Sequence, residues 1–319
     1  MDMITRLILD CDTGTDDAVA IMAAALHPLL DLVAVTTVNG NVPLANVTEN
    51  TLRVLDLIGS KAPVYVGASR PMMREDFPIP RGILGGDDPG FHPPYLDIPP
   101  STTPPAALTA VAFLIDYYLG DAGPDTVLVA TGPLTNVALA LAAEPRLAAR
   151  IPRLVLMGGA RGWGNVTQSA EFNIWVDPEA AERVMNAGIA DVTIVPLDAT
   201  HSAPISLADC DAFDAIGTPA ALASSAFIRH RIVAGRDEPG VETSAVPVHD
   251  ALCIAYLVHP EVLQEVDEYA VTVETRGHHT LGETVMDARP WSTMPRNAKV
   301  ALRANAQIFV QFLTDAFRP

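Results

Sequence analysis

The sequence predicts an α/β protein whose mostly parallel central sheet is flanked by helices. Short apolar runs alternate with segments of helical length, as in βαβ units. Each apolar run ends in a polar or glycine-containing loop, and in a Rossmann-like open sheet such loops meet at the carboxyl ends of the strands, where ligands bind. The 319 residues, 49% of them hydrophobic, are enough for a substantial core, and we predict one domain spanning 1–319.

The alternation starts at the amino terminus and resumes after one interruption. Predicted strands lie at 7–10, 32–38, 64–66, 127–130, 154–157 and 192–195, and predicted helices at 16–27, 44–58 and 134–143. From Ala251 onward we expect a helix, strands that include 270–274 and 299–303, and a final helix that ends at Phe317.

Two segments do not follow the alternation. Residues 69–105 are rich in proline and glycine, and a stretch of this length is usually a lid or binding loop, although a disordered insertion is the alternative. Residues 235–248 lie just before His249 and are a candidate flap over the same edge of the sheet.

Composition excludes several classes of partner and chemistry. The 38 acidic against 20 basic residues give a net charge of -18, which argues against nucleic acid and anionic membrane surfaces as partners. Lys61 and Lys299 are the only lysines, and neither lies in a motif for Schiff-base or P-loop chemistry. Three scattered cysteines, no secretory signal and no apolar run long enough for a membrane span predict a cytoplasmic protein.

Four aspartates fall within eight positions, directly after the first predicted strand. The segment contains Asp10, Asp12, Asp16 and Asp17, and no Lys or Arg. Carboxylates so close together raise one another's pKa, so the cluster stays ionised at neutral pH only if a cation is held among them. Oxygen ligands favour a hard ion, Ca²⁺ or Mg²⁺. The alternative, that Asp16 and Asp17 merely begin a helix, leaves Asp10 and Asp12 unexplained.

Other predicted strand ends carry polar groups suited to a sugar. Amides and carboxylates in fixed positions offer each hydroxyl a partner as good as water. His249 and Asp250 precede an apolar helix; because adjacent side chains point in different directions, one can face a metal and the other a leaving group. The polar candidates at the strand ends are Asn39, Asn41, Thr131, Asn136, Asn165, Glu171 and Asn173.

Five motifs stand in a characteristic order along the chain. They are the acidic segment 10–17, then 131–136, 156–159, 171–173 with 176–181, and His249-Asp250. In this order they resemble the motifs of the inosine-uridine preferring nucleoside hydrolases, which are Ca²⁺-dependent N-ribohydrolases. The resemblance implies that a ribonucleoside is hydrolysed to free base and ribose by a homo-oligomer, a dimer or a tetramer.

The resemblance also implies a role for each site residue. Ca²⁺ would be bound by the carboxylates of Asp12, Asp17 and Asp250 and by the carbonyl of Thr131, with Asp10 as a partner of these ligands. Asp16 would take a proton from a calcium-bound water and hydrogen-bond the ribose. His249 would face the base as the candidate proton donor. Phe172 would pack near the base or belong to the core, and the sugar hydroxyls would be held by Asn41, Met157, Asn165, Glu171 and Asn173.

Elementary chemistry agrees with this reaction. Cleavage of an N-glycosidic bond develops positive charge on the ribose, so an acid-rich pocket stabilises the transition state more than the neutral substrate. The base is a poor leaving anion, so protonation by His249 or strong hydrogen bonding must assist its departure.

The chain departs from the family pattern near the expected base. Arg81-Gly82 stands where many relatives carry His-Gly, and the other seven histidines lack the context of His249, so a second imidazole near the base is not expected. The segment before His249 has no tyrosine, so stacking on the base from there is not expected. Base preference therefore stays open.

Two other classes of protein are alternatives. A non-catalytic nucleoside-binding protein on the same fold would keep the sugar-binding residues, but it would need neither Asp16 nor His249. A haloacid-dehalogenase-like phosphatase also has a strand that ends in Asp-x-Asp; its pattern, however, has Thr or Val in place of Gly14 and requires a later basic residue in a motif that neither lysine fits.

Overall fold

The computed structural model describes residues 4–76, 91–234 and 244–319. Most predicted elements are present, with ends that shift by one or two residues. The strands are β1 (Thr5–Cys11), β2 (Leu30–Thr37), β3 (Val64–Val66), β4 (Thr126–Ala130), β5 (Leu154–Met157), β6 (Val192–Val195), β7 (Ile205–Ser206), β8 (Ala245–Val246), β9 (Leu263–Val273), β10 (Thr284–Asp287) and β11 (Ala298–Ala304). The helices are α1 (Thr15–Leu26), α2 (Leu44–Leu57), α3 (Ala110–Leu119), α4 (Thr135–Ala143), α5 (Phe172–Val176), α6 (Pro178–Met185), α7 (Leu197–His201), α8 (Leu207–Ile216), α9 (Pro219–Ala234), α10 (His249–Val258) and α11 (Ala306–Phe317).

Nine of the described strands form one sheet in the order β10-β9-β11-β6-β5-β4-β1-β2-β3. The pairs from β3 across to β6, and the pair of β6 with β11, are parallel. β9 runs antiparallel to both β11 and β10. The predicted fold class, a mostly parallel sheet flanked by helices, is confirmed.

The strand order 3-2-1-4-5-6 creates a switch point between β1 and β4. The chain leaves β1 toward one side of the sheet and β4 toward the other, which opens a crevice at their carboxyl ends. β4 pairs with β1 up to Asp10 and Ala130, and the Thr131 N–H then donates to the Asp10 carbonyl at 2.8 Å. The acidic segment and Thr131 therefore meet at the crevice.

Alternate residues of β1 face opposite cores. Leu7 and Leu9 pack into the apolar core that contains α1, α9, α10 and α11, whereas Ile8 packs into the core that contains α3, α4 and α6. Both cores exclude water from the faces of the sheet. The polar groups at the strand ends are therefore the candidates for contact with a ligand.

Much of the predicted lid segment that is described lies against α2. The Asn50 amide oxygen accepts the Leu96 N–H at 3.1 Å, and the Ser101 hydroxyl donates to Asp56 at 2.7 Å. Leu96 itself is buried in the core. Residues 77–90 of the lid segment and 235–243 of the flap segment lie outside the described residues, so both roles stay predictions. No described helix is long and apolar enough to cross a membrane.

Candidate active site

Buried carboxylates line the crevice at the switch point. Asp12 follows β1, Asp16 and Asp17 occupy the first turn of α1, and Asp250 occupies the first turn of α10, which packs against α1. These four residues are at most 4% exposed. Asp16, Asp17 and Asp250 each place a carboxylate oxygen within 4.8 Å of the others. Two helix N-termini, each with a positive dipole end, thus direct acids into one space.

Three of these acids are poorly stabilised as anions. Burial, followed by the charges of the neighbouring aspartates, raises the pKa of Asp12 and of Asp250 well above its usual value. Burial and the charge of Asp16 raise the pKa of Asp17 to about 7. A divalent cation among these oxygens would remove the cost of both burial and repulsion.

The donor set fits a hard cation. Oδ1 of Asp12 is buried and has no hydrogen-bond partner among the described residues, whereas Oδ2 accepts the Asn41 N–H at 2.7 Å. The Thr131 hydroxyl donates to Asp17 Oδ1 at 3.1 Å, and the Thr131 carbonyl accepts a hydrogen bond from Asn173 Nδ2 at 2.8 Å. Asp12 lies outside the closest group of three carboxylates, yet its free oxygen makes it a further oxygen donor.

Asp17 also caps α1. Its Oδ2 accepts the Gly14 N–H at 3.0 Å, which is the helix-start role considered as the alternative for this acid. That role does not extend to Asp12, which precedes the helix, or to Asp250 in a different helix.

Asp16 has a cation of its own. Arg231, which projects from α9 and is 4% exposed, places Nη1 3.1 Å from Asp16 Oδ1. Burial acts to raise the pKa of Asp16, but Arg231, His92 and His249 together bring it below its ordinary value. The acidic segment itself carries no Lys or Arg, and the cation that pairs with Asp16 is an arginine distant in sequence that folds against it.

Asp10 supports the cluster from behind. Its Oδ1 accepts hydrogen bonds from the Thr36 hydroxyl at 2.5 Å and from Asn136 Nδ2 at 2.7 Å, and burial raises its pKa to about 6.

Close packing also fixes the loop beside Asp12. A Cβ at Gly40 would lie 2.0 Å from Asp12 Oδ2, so only glycine fits there.

Two predicted sugar-binding residues lie directly beside the acids. Asn41 Nδ2 donates to Asp17 Oδ2 at 3.1 Å. Asn173 Nδ2 lies between the carbonyls of Thr131, at 2.8 Å, and Met157, at 3.2 Å. The structure thus brings the ends of β4 and β5 and the start of α5 to the cluster.

Glu171 is the N-cap of α5. Its carboxylate accepts the N–H groups of Asn173, Ile174 and Gly159 at 2.9–3.2 Å. The side chain is 2% exposed, and burial raises its pKa to about 7 in spite of these hydrogen bonds. It is therefore held rigidly at the wall of the pocket.

Asn165 lies at the exposed rim of the site and contacts the start of α5. Asn165 Oδ1 accepts the Phe172 N–H at 2.9 Å, which ties the exposed loop before α5 to the start of that helix. The Phe172 side chain is buried, and its place near the base stays a prediction.

His249 begins α10, as its sequence context indicated. Its Nδ1 lies 2.7 Å from the Thr200 hydroxyl, and its ring centroid lies 5.5 Å from that of His201. Loss of hydration and then the charge of Arg231 lower the pKa of His249 well below its usual value, so the neutral ring prevails at neutral pH. Thr200 and His201 come from α7, and no sequence motif had indicated them.

His92 is a second imidazole beside Asp16, although its sequence context had not singled it out. His92 Nδ1 lies 3.8 Å from Asp16 Oδ1 and accepts the Thr15 N–H at 3.2 Å. A Cβ at Gly14 would lie 2.0 Å from His92 Nδ1, so this approach requires glycine. Burial lowers the pKa of His92 to about 4, which makes the ring neutral. The Arg81-Gly82 position that excluded a second imidazole lies outside the described residues.

Comparison with known proteins decides the family. The family model described as inosine-uridine preferring nucleoside hydrolase matches residues 7–311. The chain belongs to this family. The nucleoside hydrolase is 40% identical over 317 residues to the pyrimidine-specific ribonucleoside hydrolase RihA of Shigella boydii and of Escherichia coli K12, with 99% of each chain covered.

Solved structures agree with this assignment. The purine-preferring ribonucleoside hydrolase from Gardnerella vaginalis matches with a TM-score of 0.88 at 30% identity, over 98% of both chains. A structure named inosine-guanosine nucleoside hydrolase matches with a TM-score of 0.84 at 28% identity, also over 98% of both chains. The chain is thus an enzyme of the ribonucleoside hydrolase class, and the phosphatase and non-catalytic alternatives are set aside.

Proposed function

We propose that this enzyme hydrolyses the N-glycosidic bond of ribonucleosides to free base and ribose, with Ca²⁺ as its resident ion. One observation carries the proposal: the four buried carboxylates of the crevice divide into two kinds. Asp16 is neutralised by Arg231 at 3.1 Å. Asp12, Asp17 and Asp250 have raised pKa values and lack such an ion pair among the described residues.

The carboxylates of Asp12, Asp17 and Asp250 would hold the ion, together with the Thr131 carbonyl. All four donors are oxygens, which suits Ca²⁺ better than zinc. When bound, such an ion grips the sugar diol and lowers the pKa of a water molecule. Asp10, hydrogen-bonded to Thr36 and Asn136, would hold the end of β1 in place behind the ligands.

Asp16 would act as the base that receives the proton of the attacking water. Because its pKa is below the ordinary value, its carboxylate is ionised before substrate binds. The water oxygen forms a bond to the anomeric carbon while the bond to the base breaks, and the positive charge that develops on the ribose is stabilised by the surrounding acids.

The ribose would be oriented by the fixed polar groups around the cluster. Asn41, Asn173 and Glu171 are held by hydrogen bonds to the pocket walls, so they are ordered before the substrate binds. The backbone of Met157 and the rim residue Asn165 would complete the contacts to the hydroxyls, while Phe172 and His249 would border the base.

We assign no base preference, since the similar proteins include both a pyrimidine-specific and a purine-preferring hydrolase. We further propose a cytoplasmic homo-oligomer, either a dimer or a tetramer. The three cysteines are free and buried, which is compatible with a reducing compartment.

A nucleoside panel tests the proposal. The purified enzyme, loaded with Ca²⁺, is incubated with uridine, cytidine, inosine, adenosine and guanosine, and free base and ribose are quantified. We expect equal amounts of base and ribose from at least one nucleoside, and an Asp31→Asn control at the exposed end of β2 should match the wild type. No release of ribose from any of the five would contradict the proposal.

A further inference from the structure

Arg231 lies on the buried face of α9, directly beside the proposed base. Its Nη1 contacts Asp16 Oδ1 at 3.1 Å and donates to the Thr15 hydroxyl at 3.3 Å. Its guanidinium carbon lies 5.2 Å from the centroid of the Phe91 ring. A guanidinium so enclosed is fixed in position, and its charge also reaches His249 and His201.

Donors beside this guanidinium lack acceptors among the described residues, and the neighbouring acceptor Asp16 Oδ1, 3.1 Å from Nη1, makes an ion-pair contact without a hydrogen bond. Nε of Arg231 is buried and meets no acceptor within the part of the chain that the structure describes. His92 faces two donors, the Thr15 N–H at Nδ1, 3.2 Å away, and Arg231 Nη1 at Nε2, 3.4 Å away. A neutral imidazole has one acceptor nitrogen, so one of these contacts sets a donor against a donor.

A ligand with hydrogen-bond acceptors would pair with the donors that lack a partner. Unpaired buried donors cost free energy, and a charged donor costs more than a neutral one. The aglycone of a nucleoside carries ring nitrogens and, in most bases, carbonyl oxygens, and it gains negative charge as the glycosidic bond breaks. The chemistry of this end of the pocket therefore suits the departing base rather than the ribose.

We propose that Arg231, braced by His92, is the leaving-group residue of this enzyme and binds the departing base as an anion through a charge-assisted hydrogen bond. This assignment rests on the proposed function. It gives the reaction a means of base departure that needs no proton donor at the moment of bond cleavage.

The step balances without a proton from Arg231. The water oxygen bonds to the anomeric carbon, and one water proton passes to Asp16. The electron pair of the broken carbon–nitrogen bond stays on the base nitrogen. The base anion takes a proton from solvent after it leaves, and Asp16 returns its proton to solvent. Arginine is not deprotonated in proteins, so its contribution is electrostatic throughout.

A purely structural ion pair is the competing explanation, since Arg231 could serve only to keep Asp16 charged and in place. The two roles differ in how they depend on the leaving group. Help to a poor leaving group is needed for uridine or inosine but not for 4-nitrophenyl β-D-ribofuranoside, whose phenolate departs unaided. Help to Asp16 is needed equally for all three substrates.

The experiment compares kcat/KM of the Ca²⁺-loaded enzyme on these three substrates for wild type, Arg231→Met and Arg231→Lys. The matched control is Arg229→Met, two residues away on the same helix, where the partly exposed guanidinium pairs with Asp211 and Asp214. Thermal unfolding of every variant checks that it folds. If the Met variant is unfolded, Arg231→Lys decides between the two roles, through the ratio of its kcat/KM loss on the nucleoside to its loss on the nitrophenyl riboside.

We expect Arg231→Met to lose on the order of 10²- to 10³-fold on the better nucleoside, as when one charge-stabilising donor is removed, but less than about tenfold on the nitrophenyl riboside. Arg231→Lys should also lose more activity on the nucleoside than on the nitrophenyl riboside, but by a smaller ratio. Lysine keeps the positive charge but lacks the planar, forked donor group of arginine. Arg229→Met should match the wild type on every substrate.

Equal losses on nucleosides and on the nitrophenyl riboside would overturn the leaving-group role and leave Arg231 as a positioning residue for Asp16. Unchanged nucleoside turnover in a folded Arg231→Met enzyme would overturn it as well. Failure of the wild type on all three substrates would instead contradict the proposed hydrolase reaction itself, so the two failures are distinguishable.

Discussion

The two ends of the active-site crevice are built from opposite chemistry. At the acidic end, Asp12, Asp17 and Asp250 bring negative charge and acceptor oxygens that the described residues do not neutralise. At the basic end, Arg231 brings a fixed positive charge and an unpaired donor. Within the described parts of the chain, the acidic end lacks a cation for its carboxylates, whereas the basic end lacks an acceptor for Nε of its guanidinium. Asp16 lies between the two ends.

This contrast matches the charge that the reaction creates. Cleavage of a glycosidic bond leaves positive charge on the sugar and negative charge on the base. In the proposed reaction, the acidic end with a bound cation would hold the sugar, and the basic end would receive the base. The comparison teaches that the internal arginine serves one carboxylate, Asp16, and leaves the other three for the proposed ion.

The largest expected effect comes from the acidic end. Asp250→Asn removes an anionic ligand, and we expect turnover to fall at least about 10³-fold together with the affinity for Ca²⁺, since such sites are tuned by ligand charge. Calcium titration calorimetry and nucleoside turnover measure both quantities. Asp267→Asn, on the exposed part of β9, is the control. Unchanged calcium affinity in the folded Asp250 variant would break the comparison.

Asp16→Asn should separate the two functions. We expect turnover to fall about 10²- to 10⁴-fold, the usual contribution of a positioned base, while calcium affinity changes little because Asp16 is paired with Arg231. The same calorimetry and turnover assays apply. Loss of calcium binding as severe as in the Asp250 variant would assign Asp16 to the ion instead.

The stability of ion-free enzyme should depend on pH through the acidic end. The pKa of Asp17 is raised from 3.8 to about 7 in the folded chain, so its cost to folding is absent below pH 3.8, grows from there to about pH 7 and then stays constant. Ca²⁺ offsets this cost. The difference in Tm between calcium-loaded and EGTA-treated enzyme should therefore widen as pH rises across this interval, and a difference that narrows would contradict the assignment.

The smallest effect tests the setting of His249 near the basic end. Thr200→Val removes the hydroxyl that lies 2.7 Å from His249 Nδ1, and loss of one neutral hydrogen bond corresponds to about a 2- to 12-fold decrease in kcat/KM for nucleosides. Thr314→Val, whose hydroxyl bonds only within α11 among the described residues, is the matched control. A loss as large as that of Asp16→Asn would show that Thr200 does more than orient the ring.

The acidic end was predictable because its residues are close in sequence or adjacent to strand ends. Asp10, Asp12, Asp16 and Asp17 form one segment, and a parallel sheet necessarily brings Thr131 to the same edge. The alternation of apolar and helical segments also predicted the sheet. For most strands and helices, the predicted ends lie within a few residues of the observed ones. Local patterns were enough for these features.

The basic end was not predictable in the same way. Arg231 contacts Thr15 across 216 positions of sequence, and no sequence motif singled out His92. One signal was present for Arg231: it stands three and four residues after Ile228 and Phe227, on the buried face of α9. An arginine on an apolar helical face must find a buried anion, but only the tertiary fold identifies that anion as Asp16.

Removal and return of calcium tests the central claim most directly. The enzyme is treated with EGTA, assayed on the best nucleoside, and titrated with Ca²⁺ while bound ion and turnover are measured together. We predict that stripped enzyme is inactive and that activity returns in proportion to one Ca²⁺ bound per chain. Full turnover of calcium-free enzyme would contradict the account.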